Sequence, residues 1–193
     1  MLLCYFMKDY SNGKRVMHID TSCKLYERRD TGIAFKMIKT NEHQGIGLSL
    51  KLKKEIERDL YADHDYARIY SICIYFLIRD NLHLFDELII CGDEDPQAVK
   101  DYLEILFSNN EEYSKKQIKS ICDLRIETGD KKIRSYADDI AYSYMRRALK
   151  SIVRRQRGIS LNVIPITYGM ICNKWDEIYE FIEKNKKVES DLS

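Results

Sequence analysis

The chain has 193 residues, enough for one domain with a buried core, and its 45% apolar and 33% charged residues are typical of a globular protein. Its 32 basic and 31 acidic side chains nearly cancel, so binding to an anionic partner would need a local basic patch. No apolar run reaches the roughly 20 residues that span a bilayer, and no two of the six cysteines are spaced as C-x-x-C. We therefore expect a soluble, cytoplasmic protein with reduced cysteines, no membrane partner, no disulfide framework and no zinc site.

The first part of the chain predicts an antiparallel meander followed by helix. The apolar stretch Arg15–Asp20 and the alternating stretch Gly32–Ile38 indicate two strands, which are joined by a polar loop. A third strand is expected over about Gln44–Leu50. From Leu52 onward, apolar residues recur at a spacing of four, which predicts one long helix, or two, ending near Asp80.

The second part of the chain alternates strands with helices, which favours parallel pairing of its strands. Pro96 suits the first position of a helix, with Asp95 as its N-cap. The predicted elements, in order, are a strand over Asp86–Gly92, a helix over Pro96–Phe107, a strand over Ile118–Glu127, a helix over Ser135–Gln156, a strand over Ile159–Thr167 and a helix over Trp175–Glu183.

Three acidic residues stand at positions where strands end or a helix begins. Asp20 ends the first predicted strand, Asp93 follows the apolar run Leu88–Gly92, and Asp138 opens a long helix. Each also fits an ordinary role in a turn, a helix cap or the first turn of a helix. However, carboxylates at strand ends meet at one edge of a sheet, and their oxygens suit Mg²⁺ or Mn²⁺. The three together predict a metal-dependent phosphodiesterase.

The order of elements and three short segments resemble the ribonuclease H-like superfamily. Ile19–Ser22, followed by Gly32–Phe35, is similar to that family's first hairpin. Leu88–Val99 is similar to its fourth strand and following helix, and Ala137–Ala141 is similar to the Ala-Asp-Glu-Leu-Ala signature of its last helix. The resemblance implies an α/β fold with a five-stranded mixed sheet, three strands antiparallel and the others parallel, flanked by helices.

This resemblance also implies a domain division and an activity. Residues 1–157 would form the ribonuclease H-like domain, and 158–193 would add a strand and a helix packed on the same domain. The family hydrolyses DNA, RNA or their hybrid with two metal ions held by four acids. By resemblance, Asp20 would bridge the ions, while Asp93 and Asp138 would each hold one.

The fourth acid and the loop histidine of the family have no clear counterparts. Counting back from Asp93 by the spacing of the family lands near Tyr66 and Ala67, so Asp65 is the nearest acidic candidate and Glu55 and Glu57 are weaker ones. The stretch Cys122–Tyr136, where the family often has a histidine, contains none. We therefore take the catalytic and metal-binding set to be Asp20, Asp65, Asp93 and Asp138.

The end of the long helix is basic, and it is the expected nucleic-acid-binding surface, although a solvated face with cations near a helix C-terminus is the ordinary interpretation. Its members are Arg146, Arg147, Lys150, Arg154, Arg155 and Arg157.

Two other functions stay open. The segment Asp20-Thr21-Ser22 after an apolar strand also resembles PIN-domain nucleases, and the chain could be a non-catalytic ribonuclease H-like module that binds nucleic acid or protein. The protein could form a homo-oligomer under each of these functions.

Overall fold

The computed structural model describes residues 13–60, 65–129, 133–148 and 162–191. These ranges contain all five strands of one sheet and the helices that flank it. The second half of the predicted helix Ser135–Gln156 lies mostly outside the described residues. None of the helices in these ranges is long and apolar enough to cross a membrane.

One mixed sheet forms the centre of the fold. In order across the sheet the strands run β3-β2-β1-β4-β5, with β2 antiparallel to both of its neighbours, β1 and β3, and with β4 parallel to both β1 and β5. The predicted five-stranded mixed sheet flanked by helices is confirmed. Its strands are Val16–Thr21 (β1), Thr31–Met37 (β2), His43–Leu48 (β3), Glu87–Ile90 (β4) and Gln117–Ser120 (β5).

Six α-helices are described, and local caps explain where several of them begin. The region predicted as one long helix, or two, forms two helices, because Ser49 caps the first and Asp65 caps the second. Asp95 caps the third helix as predicted, accepting hydrogen bonds from the backbone N–H groups of Gln97 and Ala98. The helices are Leu50–Asp59 (α1), Tyr66–Ile78 (α2), Pro96–Leu106 (α3), Ile121–Thr128 (α4), Asp138–Ala148 (α5) and Tyr168–Asp191 (α6).

The two faces of the sheet are covered differently. On one face, Met17 and Ile19 of β1 belong to the main hydrophobic core together with residues of α2, α3 and α6. On the other face, α5 packs directly on β2 and β3. A Cβ atom at Gly32 would collide with the backbone of α5, and one at Gly45 would collide with the ring of Tyr144. The glycines therefore let α5 approach the sheet closely, with its first turn near the end of β1.

The strand predicted over Ile118–Glu127 is wrong beyond Ser120. The Ser120 hydroxyl accepts a hydrogen bond from the backbone N–H of Asp123 (3.1 Å), and the Asp123 carboxylate accepts one from the backbone N–H of Ser120 (2.7 Å). This reciprocal capping box starts α4 directly after β5. The capping pair therefore overrides the apolar run on which the strand prediction was based.

The strand predicted over Ile159–Thr167 is also wrong in the part that the structure describes. Within 162–167 only an isolated parallel bridge forms, between Gly45 and Val163. Pro165 fixes its own φ and offers no N–H group to a neighbouring strand, which limits this segment to an edge contact.

The last helix begins earlier and ends later than the predicted Trp175–Glu183. The Thr167 hydroxyl accepts a hydrogen bond from the backbone N–H of Met170 (3.3 Å), so α6 begins at Tyr168. Ile171, Trp175 and Ile178 belong to the main core, and the described C-terminal helix is therefore part of the same hydrophobic interior.

Candidate functional site

The ends of the adjacent strands β1 and β4 bring Asp20 and Asp93 to one edge of the sheet. In the parallel register Ile19 lies opposite Ile90, and the backbone N–H of Cys91 donates to the Ile19 carbonyl (3.0 Å). One potential ligand atom from each of Asp20, Cys91 and Asp93 lies within 4.8 Å of the other two. Two of the acids selected from the sequence therefore lie close together in space, and the Cys91 thiol belongs to the same group.

Asp20 is almost completely buried, with 8% of its surface exposed. Burial raises the pKa of its carboxyl to about 6, and the carboxylates of Asp138 and Asp93 act in the same direction. The backbone N–H of Thr21, which donates to Asp20 Oδ1 (2.7 Å), and the Cys91 thiol oppose that shift. Within the described ranges, no basic side chain lies within salt-bridge distance of Asp20.

Asp93 is half-buried and is connected to β1 through a side-chain hydrogen bond. The Thr21 hydroxyl donates to Asp93 Oδ2 at 2.6 Å. Thr21 therefore contacts both acids, with its backbone N–H on Asp20 and its hydroxyl on Asp93. These two bonds fix the orientation of the carboxylates relative to each other.

Cys91 and Tyr70 belong to this centre, and sequence reasoning missed both. Tyr70 of α2 is fully buried, and its hydroxyl lies 3.0 Å from Cys91 Sγ. Burial raises the pKa of the Tyr70 hydroxyl, and the nearby Cys91 and Asp20 add to the effect. Burial, followed by Asp20 and Asp93, likewise raises the pKa of the Cys91 thiol. Both groups are therefore protonated at neutral pH. In sequence they are members of apolar runs, and no local signal distinguishes them from core residues.

Glu94 is a further acid that sequence reasoning passed over, although it directly follows Asp93. It is half-buried, and burial raises its pKa to about 7, while a hydrogen bond from the Leu25 backbone opposes this shift. Its Oε1 atom is shielded from solvent and has no hydrogen-bond partner among the described residues. Lys24 and Lys53 are close enough to lower its pKa, so Glu94 lies towards the β1–β2 loop.

Asp138 lies at the first position of α5 and is exposed. Its charge contributes to the raised pKa of Asp20, and α5 contacts β1, the strand that carries Asp20. It does not belong to the group of ligand atoms formed by Asp20, Cys91 and Asp93. Asp139, the next residue, is exposed as well.

Asp65 has partners on the helices rather than in this group. Its Oδ1 accepts a hydrogen bond from the backbone N–H of Arg68 (3.1 Å), which caps α2. Its Oδ2 lies 2.9 Å from Arg68 Nε and accepts a hydrogen bond from the Tyr102 hydroxyl (3.1 Å). The weaker candidates Glu55 and Glu57 lie on α1 and are likewise not in the ligand group.

Only part of the predicted basic surface can be located. Arg146 is exposed at the end of α5, with its guanidinium carbon 5.9 Å from the centre of the Tyr142 ring. The side chains of the other members lie outside the described residues: Arg147, Lys150, Arg154, Arg155 and Arg157.

No family model matches this chain, and comparisons with curated proteins and with solved structures find no significant match.

Proposed function

We propose that the chain is a divalent-cation-dependent nuclease of ribonuclease H-like fold, which hydrolyses phosphodiester bonds of nucleic acid. The observation that carries this proposal is the convergence of Asp20 and Asp93 at the ends of two adjacent parallel strands, with Asp138 close to Asp20. These are the three acids whose positions in the sequence favoured a metal-dependent phosphodiesterase.

The chemistry of the donor set fits a hard divalent cation. Two carboxylates within 4.8 Å of each other repel, and the burial of Asp20 makes its negative charge costly. Within the described ranges no basic side chain forms an ion pair with either acid, and the nearby Lys24 is partly exposed to solvent, so a bound cation would neutralise this charge directly. Carboxylate oxygens are the preferred ligands of Mg²⁺ and of Mn²⁺.

In this proposal each polar residue at the centre has a defined task. Asp20 and Asp93 would hold the cation, and Thr21 would keep both carboxylates in position through its backbone N–H and its hydroxyl. Asp138, on the exposed first turn of α5, would add negative charge on the solvent side. When bound, the cation would activate a water molecule and stabilise charge on the phosphate.

The connections of the strands favour a ribonuclease H-like arrangement over a PIN-like one. After Asp20 the chain returns as β2, which pairs antiparallel with β1, whereas in the PIN-like alternative it would lead directly towards a helix. The sheet order, with an antiparallel meander beside parallel strands, agrees with the fold that the resemblance implies.

The direct test is cation-dependent cleavage by variants that remove one charge and keep the shape of the side chain. We expect Asp20→Asn and Asp93→Asn each to lower Mg²⁺- or Mn²⁺-dependent cleavage of DNA, RNA or hybrid by at least about a hundredfold, since each would remove a ligand. Asp139→Asn is the matched control and should keep wild-type activity. Circular dichroism must show that all three variants fold.

Wild-type protein that is inert on every nucleic acid, with no binding of divalent cations by calorimetry, would contradict the proposal.

A second candidate is a non-catalytic ribonuclease H-like binding module. The observation in its favour is that Asp65 is engaged by Arg68 and Tyr102, so the fourth acid of the family is not supplied there. Salt-sensitive binding of nucleic acid without cleavage in either cation would support this second candidate.

A further inference from the structure

The helix that approaches Asp20 and Asp93 from the main core, α2, contains no acidic residue; its sequence is YARIYSICIYFLI. The side chain that it places at the centre is Tyr70, whose hydroxyl lies 3.0 Å from Cys91 Sγ. Four residues neighbour Tyr70 on the same side of the helix, and none of them is acidic: Tyr66, Ala67, Cys73 and Ile74. On this side α2 therefore offers the centre no carboxylate.

Asp65 is not free to take the place of that missing acid. One of its oxygens caps α2, and the other contacts both Arg68 Nε and the Tyr102 hydroxyl. The Arg68 side chain is only 13% exposed and lies over the rings of Tyr102 and Trp175. Moving Asp65 towards the centre would leave this largely buried guanidinium without its carboxylate, which is strongly unfavourable.

The spacing of the ligand atoms matches the coordination sphere of one ion. Metal–oxygen distances are about 2.1 Å for Mg²⁺ and somewhat longer for larger cations, so ligands on opposite sides of one ion are roughly 4–5 Å apart. The atoms contributed by Asp20, Cys91 and Asp93 lie within 4.8 Å of one another. A second ion about 4 Å away would need additional ligands of its own. The other acids near the centre, Asp138 and Glu94, do not belong to this group of ligand atoms.

We infer that this centre binds a single divalent cation, held by Asp20 and Asp93, and not the pair of ions that the family resemblance implies. This inference rests on the proposed metal-dependent function and specifies the metal content of the same centre. Tyr70 takes the side of the centre where a further carboxylate would be needed, and Asp65 is a structural residue of the α2 and α3 surface.

The stoichiometry of Mn²⁺ binding tests the inference without any measurement of activity. We expect calorimetry on the full chain to give one Mn²⁺ per chain, and electron paramagnetic resonance to show an isolated ion. Asp20→Asn should weaken binding by at least about tenfold, because a direct ligand matters at least as much as an outer partner. Asp65→Asn retains a good helix cap but removes the charge that pairs with Arg68, so circular dichroism must first show that the variant folds. The folded variant should keep both the stoichiometry and the affinity of the wild type.

The outcomes separate this inference from the proposed function. Two Mn²⁺ ions per chain with an exchange-coupled spectrum, or loss of an ion in the Asp65→Asn variant, would overturn the single-cation inference and leave the nuclease proposal standing. No Mn²⁺ binding by folded wild-type protein would overturn both. One ion bound without nucleic-acid cleavage would support the inference and contradict the nuclease.

Discussion

His18 is a buried histidine on β1, two residues before Asp20, and it is kept neutral by its surroundings. Only 1% of its surface is exposed, and its Nδ1 accepts a hydrogen bond from the backbone N–H of Tyr136 (3.2 Å). Burial lowers the pKa of its imidazole to about 3. Between about pH 6.5 and about pH 3, the imidazole therefore stays uncharged in the folded protein, whereas in the unfolded protein it takes up a proton.

This difference predicts acid destabilisation with a definite sign. Above about pH 6.5 the imidazole is neutral in both states and contributes no pH dependence; below it the unfolded state binds the proton, so stability falls towards pH 3. We expect His18→Asn, which keeps an acceptor near Tyr136, to reduce the loss of unfolding free energy between about pH 7 and about pH 5 by about 2 kcal/mol.

Urea denaturation of metal-free protein at the two pH values measures this loss. The exposed His83 offers the control, since His83→Asn should leave the pH dependence of the wild type unchanged. An identical pH dependence in wild type and His18→Asn would contradict the prediction.

The contrast between Asp20 and Tyr70 shows which site residues a sequence can predict. Asp20 and Asp93 could be selected because a carboxylate at the end of an apolar strand is conspicuous, and parallel strands bring such ends together. Tyr70 and Cys91 could not, because each stands in an apolar run and enters the centre only through the packing of α2 on β4. A charged residue at the end of an apolar run can be recognised in the sequence, whereas a contact between residues of two different elements cannot.

The bounds of a helix or strand were predictable where the spacing of apolar residues and the helix-capping residues indicated the same element. Asp95 and Pro96 fixed the start of α3, and the structure places it there. The prediction failed after Ser120, where the capping box with Asp123 starts α4 although the apolar run continues. A cap is a specific pair of hydrogen bonds, so it outweighs a short apolar pattern that fits either a strand or a helix.

The packing of α5 on β2 gives a prediction at Gly32. A Cβ atom there would collide with the Ala141 carbonyl and the Met145 backbone, which cannot move without a shift of the whole helix. We expect Gly32→Ala to lower the unfolding free energy by about 1–3 kcal/mol, the usual cost of overpacking. Urea denaturation followed by circular dichroism measures the change.

Gly169, at the second position of α6, is the matched control for Gly32. A Cβ atom there meets nothing within 4 Å, and alanine is the better helix former. We expect Gly169→Ala to be neutral or slightly stabilising. Equal stabilities of the Gly32→Ala variant and the wild type would mean that α5 does not approach β2 as closely as the structure indicates.

In the described ranges most buried apolar side chains belong to one main hydrophobic core, and α6 contributes to it. Residues of α6 belong to the same core as Leu103 of α3 and Tyr70 of α2, and the guanidinium carbon of Arg68 lies 4.2 Å from the centre of the Trp175 ring. Trp175 is the only tryptophan in the chain, so its fluorescence reports the docking of this helix. Circular dichroism at far-ultraviolet wavelengths reports all the helices and the sheet together.

We expect the fluorescence and circular dichroism transitions in urea to coincide, because a helix that shares its core with the sheet unfolds in the same cooperative step. Ile171→Ala, which removes a fully buried α6 side chain, should shift both transitions together and lower the unfolding free energy by about 2–5 kcal/mol. Tyr179→Ala is the control on the same helix, since 55% of Tyr179 is exposed, and it should change stability by no more than about 0.5 kcal/mol. An earlier fluorescence transition, or an Ile171→Ala shift seen by fluorescence alone, would instead indicate that α6 unfolds independently of the sheet.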